Sequence, residues 1–538
     1  MTDPLLKRRR LSNGNDDVLG SSGDAERATP SSLSHPISPP RKKMKTERKI
    51  LASPFRLTSI RDLSDTDNVD AVSLSDLVGD PLIAELWDFN YLHDDLKVDF
   101  LMEHLDEDTR ALTKIHIVHG FWKRGDSNRL MLQEQARQHP NVTLHTAYMP
   151  ELFGTHHSKM LVLFRHDDTA QVIIHTANMI AKDWTNMTNG VWISPVLPKL
   201  QSPPQEASTC GAIGSGPRFK FDLLNYLRAY NERRNVCESL VEDLAKYNFF
   251  AVRGALVASV PGKQDVELAP EVTCWGWQAL RQTLKTVPLQ AGASEIVVQI
   301  SSIATLGIDD TWLQRYLFDS LSTSRPPRRE ESATRPNFKI VFPTPDEIRR
   351  SLDGYASGGS IHTKIQHPIH MRQLRYVRPF FHHWANDSCK GGLTNASTSN
   401  DNARISGRKR AAPHIKTYIC YGAKSIDWAL LTSANLSRQA WGEATNKLGE
   451  VRIASWEIGV LVWPELLTGD PKATMVGTFR TDEPSREEYS DSDEDSPIVG
   501  LRIPYDLPLQ KYGDAEVPWV ATMEYTEPDW KGRMWPGN

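Results

Sequence analysis

The chain has 538 residues, 39% of them hydrophobic and 8% aromatic, and a formal charge of −4. That length exceeds one compact core and points to about two to four domains, while no apolar run approaches the roughly 20 residues of a bilayer-spanning helix. The net charge excludes no polyanionic partner, because it is unevenly spread: residues 481–496 hold eight acidic residues and one basic, and the first 50 hold eleven Lys/Arg against six Asp/Glu.

Residues 1–70, rich in Ser, Pro, Asp and Lys/Arg, read as a disordered tail. Its basic clusters, Lys7 to Arg10 and Arg41 to Lys43 followed by Lys45, Arg48 and Lys49, suit a nuclear import receptor and predict a nuclear protein. Residues 71–250 read as a first globular domain. Ile115–His119, Lys159–Phe164 and Gln171–His175 are apolar runs of strand length. Phe219, Leu223, Tyr226, Leu227 and Tyr230 fall on one face of a helix, and Leu240, Val241 and Leu244 mark a second.

Residues 251–538 restart the alternation, with strands expected at Ile296–Ile300, Lys339–Phe342, Ile415–Tyr421, Trp428–Leu431 and Ile458–Trp463. Polar insertions near 322–335, 386–412 and 481–496 read as surface loops. Strands interleaved with helices give an α/β class with two similar α/β/α sandwich domains. The five cysteines, Cys210, Cys237, Cys274, Cys389 and Cys420, are scattered without a C-x-x-C pair, which speaks for a reducing compartment.

A duplication carries the chemistry. His157 and Lys159 precede Thr176-Ala177-Asn178, and His414 and Lys416 precede Ser433-Ala434-Asn435, each histidine leading its asparagine by 21 residues. A tryptophan, Trp184 or Trp441, follows each asparagine by six. In an extended segment, His-x-Lys puts both side chains on one face, so two such half-sites can meet on one phosphate. Histidine serves as nucleophile or as general acid and base near neutral pH, lysine supplies positive charge, and asparagine supplies fixed N–H donors. Two lysines can do electrostatically what a metal ion does elsewhere. A third copy, His362-Thr363-Lys364, has His383 where the asparagine would stand and reads as structural or merely surface.

The pattern resembles the phospholipase D superfamily, whose H-x-K-x4-D signature is duplicated, but Phe164 and Tyr421 stand at the aspartate positions. Loss of both aspartates, with the Ser/Thr-Ala-Asn element, resembles the tyrosyl-DNA phosphodiesterase family. Phe153 to Met160, Asp183-Trp184, Gly190-Val191-Trp192, Pro413 to Tyr418 and Ile503 to Pro508 read the same way. The resemblance implies a pseudo-twofold active site between the two domains and a nuclear repair enzyme acting without metal or cofactor. It implies cleavage of the bond between a DNA 3′ end and a tyrosine or topoisomerase I-derived peptide, through a phosphohistidine.

The resemblance further makes His157 the nucleophile and His414 the general acid and base, with Lys159, Lys416, Asn178 and Asn435 on the phosphate oxygens. Glu457 would orient a catalytic histidine. Asn189 stands where the family has glutamine, and its shorter side chain is expected to lose the direct bond to the opposite histidine or to make it through water. Phe153 and Tyr91 would flank a single-stranded or duplex-end DNA, and Ser301, Ser302 and Thr305 its backbone. Trp519 is assigned to the substrate, with packing of the chain end as the alternative for it and for Trp535. A monomer is expected. The residues alone leave open which histidine attacks. They also admit two rivals: a lipid phosphodiesterase, or an inactive nucleic-acid scaffold.

Overall fold

The computed structural model describes residues 48–90, 98–202, 210–266, 269, 271–325, 335–386, 403–490 and 495–537. Two mixed sheets organise them. The first orders its strands Phe55–Leu57, Gly190–Ile193, Thr169–His175, Met160–Arg165, Ile83–Phe89, Lys114–His119 and Val142–Thr146, with Leu197–Pro198 added beside Thr169–His175. The second contains, in corresponding order, Ile426–Thr432, Thr417–Tyr421, Glu295–Gln299, Asn337–Val341 and Phe381–His382. In each sheet the strand after His-x-Lys lies antiparallel between the strand before the asparagine and Ile83–Phe89 or Glu295–Gln299, and two further parallel strands follow.

Burial on both faces explains the sequence of the central strands. Met160–Phe164 and all of Ile426–Thr432 are buried, which is why they read as continuous apolar runs. On one face of the first sheet Leu86, Ile115, Leu161 and Leu163 pack against Leu74, Leu101 and Leu132 of helices. On the other, the helix Gly216–Ala229 lays Phe219, Leu223, Tyr226 and Leu227 into a cluster that also takes in Ala429, Leu431 and Val460 of the second sheet. This helix starts on Ser215, whose hydroxyl accepts the Arg218 N–H at 3.4 Å, with Pro217 in the first turn. A third cluster sets Trp277, Leu280 and Leu317 against Ile296, Val298 and Leu430. One shared apolar layer, to which the helix Gly216–Ala229 contributes, therefore holds the two sheets together, and other helices cover their outer faces.

Two expectations need correction. Residues 48–70 are not a disordered tail: Ile50–Leu51 pairs with Ile498–Val499, and Phe55–Leu57 pairs with Gly190–Trp192, burying Phe55 and Leu57. Strands of two and three residues carry too little period to register in a sequence, and their partners lie far along the chain. Residues 1–47 lie outside the described residues.

The second and third insertions are also less superficial than expected. Arg408, Ala411 and Ala412 are buried, and the Thr188 N–H donates to the Ala412 carbonyl at 2.9 Å. Asp482 is buried against Arg502 at 3.2 Å. Polar residues go inside when they bring their partners. Residues 326–334, 387–402 and 491–494 of the insertions, and Cys389, lie outside the described residues.

Candidate active site

Each His-x-Lys runs directly into a central strand, Met160–Arg165 or Thr417–Tyr421, and each asparagine follows the neighbouring strand, Thr169–His175 or Ile426–Thr432. The register is Met160 opposite Ile174 and Thr417 opposite Leu431. It continues one step further, with the His175 N–H on the Lys159 carbonyl at 3.1 Å and the Thr432 N–H on the Lys416 carbonyl at 3.2 Å. His, Lys and Asn of each half thus converge at one sheet edge.

The two edges are tied to each other. The His157 N–H donates to the Trp456 carbonyl at 3.0 Å, and the His414 N–H to the Thr188 carbonyl at 2.9 Å. The residue after each acceptor then faces the opposite half's histidine: Glu457 Oε2 lies 2.9 Å from His157 Nδ1, and Asn189 Oδ1 lies 3.1 Å from His414 Nδ1. Behind them the Ser433 hydroxyl donates to Glu457, and the Thr176 hydroxyl to Asn189 Oδ1 at 2.9 Å. The direct contact of Asn189 corrects the expectation that its shorter side chain loses it. Asn189 is drawn inward by its N–H on Thr58 Oγ1 at 3.1 Å and its Nδ2 on the Asp183 carbonyl at 2.8 Å.

Lys159 and Lys416 are fully buried, and each ammonium turns back onto the carbonyl of its own histidine. Burial pushes Lys159 down to about 8. It pushes Lys416 well below the ordinary lysine range, and the charge on Lys159 adds to that. Glu457 and Asp183 oppose both shifts. Asn435 Oδ1 accepts the N–H groups of Ser301 at 3.0 Å and Ser302 at 2.9 Å, which reserves its Nδ2 donors for a ligand. The Asn178 N–H donates to Asp183 Oδ2 at 2.7 Å.

His157, His414, Asn178, Asn435 and Glu457 line one cleft of about 830 Å³, together with Ser301, Ser302 and Thr305. Phe153 stands at its rim, 80% exposed. Trp519 does not reach the cleft: it is fully buried, donates to the Gly358 and Ile361 carbonyls at 3.0 and 3.1 Å, and stacks with Tyr355 and Tyr525. It is a packing residue, as a large ring with one N–H donor often is. Tyr91 lies outside the described residues.

A tyrosyl-DNA phosphodiesterase family model matches residues 54–513. The chain belongs to the tyrosyl-DNA phosphodiesterase family. A probable tyrosyl-DNA phosphodiesterase of Schizosaccharomyces pombe is 29% identical to it, over 93% of this chain and 99% of that one. The Arabidopsis thaliana tyrosyl-DNA phosphodiesterase 1 is also 29% identical, over 90% and 77%. The crystal structure of the yeast tyrosyl-DNA phosphodiesterase shares the fold, with a TM-score of 0.60 at 21% identity over 87% of this chain and 98% of that one.

Within this member of the tyrosyl-DNA phosphodiesterase family, two features escaped the sequence. The third H-x-K is part of the cleft: His362 and Lys364 line it, and His362 pairs with Ser302 in a short parallel bridge. The surrounding cleft walls, with Lys182, Lys364 and Lys416 nearby, hold His362 below the ordinary histidine range, although its side chain is exposed to solvent. The other feature is Asp183, a fully buried carboxylate 3.1 Å from His414 Nδ1. It follows Asn178 by five positions, where the second half has Ala440, so an argument from duplication could not find it.

Proposed function

We propose that this chain hydrolyses the phosphodiester between a tyrosine and a DNA 3′ end by two displacements at one phosphate. His157 Nε2 attacks phosphorus, the bond to the tyrosyl oxygen breaks, and His414 gives that oxygen its proton. His414 then takes a proton from a water that attacks the phosphohistidine. The phosphorus–nitrogen bond breaks, leaving free His157 and a DNA 3′-phosphate. Lys159, Lys416, Asn178 and Asn435 hold the non-bridging oxygens.

The observation that carries this reading is the unequal bonding of the two Nδ1 atoms. The carboxylate of Glu457 receives the Nδ1 proton of His157, which makes Nε2 the unprotonated, nucleophilic nitrogen and offsets the positive charge that grows on the ring as the bond to phosphorus forms. His414 Nδ1 hydrogen-bonds instead to the neutral amide of Asn189, with the Asp183 carboxylate a second neighbour at 3.1 Å that is shared with the Asn178 N–H. That difference supports His157 as nucleophile.

The substrate side is read from the same cleft. Phe153 offers a stacking face to a single-stranded or duplex-end DNA, while Ser301, Ser302 and Thr305 suit backbone contacts. We read the open cleft as the place of the topoisomerase I-derived peptide as well. The basic clusters of residues 7–10 and 41–49 support nuclear import, and we read the enzyme as a monomer.

A gel assay with a 3′-phosphotyrosyl oligonucleotide beside a short-chain phosphatidylcholine tests the reading. Release of tyrosine with a 3′-phosphate end is expected, with the lipid untouched. Headgroup release without DNA processing would favour a lipid phosphodiesterase, and no turnover of either would favour a binding scaffold.

A further inference from the structure

Asp183 is a buried carboxylate behind the cleft that touches both half-sites, as Glu457 does from the other side. Its Oδ2 accepts the Asn178 N–H at 2.7 Å and lies 3.1 Å from His414 Nδ1, while Oδ1 accepts the Ser360 hydroxyl at 3.3 Å. Its carbonyl holds the amide of Asn189, the other neighbour of His414 Nδ1. The side chain is shut off from water, a costly position for a carboxylate unless positive charge stands beside it.

His414 needs such a neighbour. A general acid must carry its proton before the leaving oxygen arrives, and the Asn189 amide orients the ring without neutralising an imidazolium. The groups facing His414 are otherwise mostly cationic: Lys416, Lys159 and Lys182, with His157 across the cleft. Burial and these charges hold His414 well below the ordinary histidine range. Glu457 is engaged by His157 and Ser433, and Asp88 lies toward Lys159. Burial raises Asp183 above the usual carboxylate range, opposed by the Asn178 N–H and by Lys182, Lys416 and Lys159.

We infer that Asp183 is a positioning residue for His414: its negative charge opposes the burial and the cationic neighbours that disfavour an imidazolium, so that the ring can carry the proton for departure of the tyrosyl oxygen, while Asn189 fixes the ring's direction. In that step the proton passes from His414 Nε2 to the tyrosyl oxygen, and the N–H electron pair stays on the ring. Asp183 remains a carboxylate throughout and exchanges no proton. The inference rests on His414 as the general acid.

Asp183→Asn keeps an acceptor for the Asn178 N–H and removes the charge. The test compares single-turnover cleavage of a 3′-phosphotyrosyl oligonucleotide with that of a 3′-(4-nitrophenyl phosphate) oligonucleotide, whose leaving group departs without an acid. D183N should lose about a hundredfold on the tyrosyl substrate, with its pH optimum moved to lower pH, and should cleave the nitrophenyl substrate within a few fold of the parent. Equal losses on both substrates, or an unmoved pH profile, would overturn the inference and leave Asp183 a support for Asn178. Circular dichroism shows whether D183N is folded. If it is not, the ¹⁵N chemical shifts of His414 in the parent enzyme decide: a ring fully neutral at pH 6 with vanadate and tyrosine bound sinks the proposal, and a protonated ring supports it. His414→Ala serves as the separate control. If that variant cleaves both substrates like the parent, the general-acid reading fails whatever D183N does.

Discussion

His414 Nδ1 and Asn189 Oδ1 lie 3.1 Å apart across the two halves, where the pseudo-symmetric pair, His157 Nδ1 and Glu457 Oε2, lies 2.9 Å apart. The same backbone bridge brings both pairs together, so the site is symmetric in its main chain and asymmetric in the side chains that bond its histidines, a carboxylate at His157 and an amide beside a shared carboxylate at His414. An enzyme in which one histidine attacks and the other moves protons needs that asymmetry.

The division of labour can be read from trapped adducts. His414→Ala should form the phosphohistidine but hydrolyse it slowly, because activating water needs the base more than expelling a tyrosyl oxygen needs the acid. Denaturing electrophoresis with labelled 3′-phosphotyrosyl DNA should show an adduct, mapped by mass to His157. His157→Ala should show none, and an adduct on His414 in that variant would reverse the roles.

The buried lysines predict an alkaline limit. A lysine is charged below its pKa, so the phosphate-binding charge of the free enzyme falls as pH rises through about 8, the position of Lys159. The value of kcat/KM, which reports the free enzyme, should decline through that range, while kcat should decline at higher pH because the bound phosphate holds the lysines charged. The same depression has a stability cost. The unfolded chain binds more protons between about 8 and 10.5, so parent stability should rise across that window. Lys159→Met, inactive, should therefore melt higher than the parent at pH 7, with the gap narrowing towards pH 10. A lower melting temperature for K159M at pH 7 would count against this.

The Ser301 and Ser302 N–H groups hold the Asn435 oxygen, so in the proposed mechanism its Nδ2 donors are left for the phosphate. Asn435→Ala should lower kcat by about a hundredfold, the usual loss for one oxyanion donor. Asn435→Asp keeps the anchored oxygen but puts a carboxylate against phosphate, and should be worse still. Single-turnover rates for the two variants check the order.

In the proposed mechanism Lys159 and Lys416 supply the positive charge at the phosphate, so turnover is expected to survive excess EDTA. Loss of activity restored by magnesium would end that account.

The edge strands at residues 50–57 set where the chain can be shortened. Removal of residues 1–47, which carry none of the motifs, should leave turnover on a short oligonucleotide nearly intact while reducing nuclear accumulation. Removal of residues 1–58 takes away two strands and the buried Phe55 and Leu57, and should lower the melting temperature by several degrees. Differential scanning calorimetry of the two truncations separates them.

By itself the sequence determined the two half-sites, because duplication with constant spacing marks His157, Lys159, Asn178, His414, Lys416 and Asn435 without reference to space. It also determined the central strands, whose burial on both faces demands an unbroken apolar run, and the Gly216–Ala229 helix, whose apolar residues repeat at helical period. Glu457 and Asn189 entered only by resemblance. Tertiary structure decided what lies between elements. Asn189 reaches His414 because Thr58, remote in sequence, and the backbone carbonyl of Asp183 draw it inward. Asp183 has no counterpart in the second half, so no repeat announced it. Trp519 looked available and proved to be core, because a tryptophan's burial depends on what folds over it. The strands at 50–57 exist only through partners in two different sheets. Periodicity records whether a segment has a buried face, and the hydrogen bonds that join segments far apart along the chain leave no period to read.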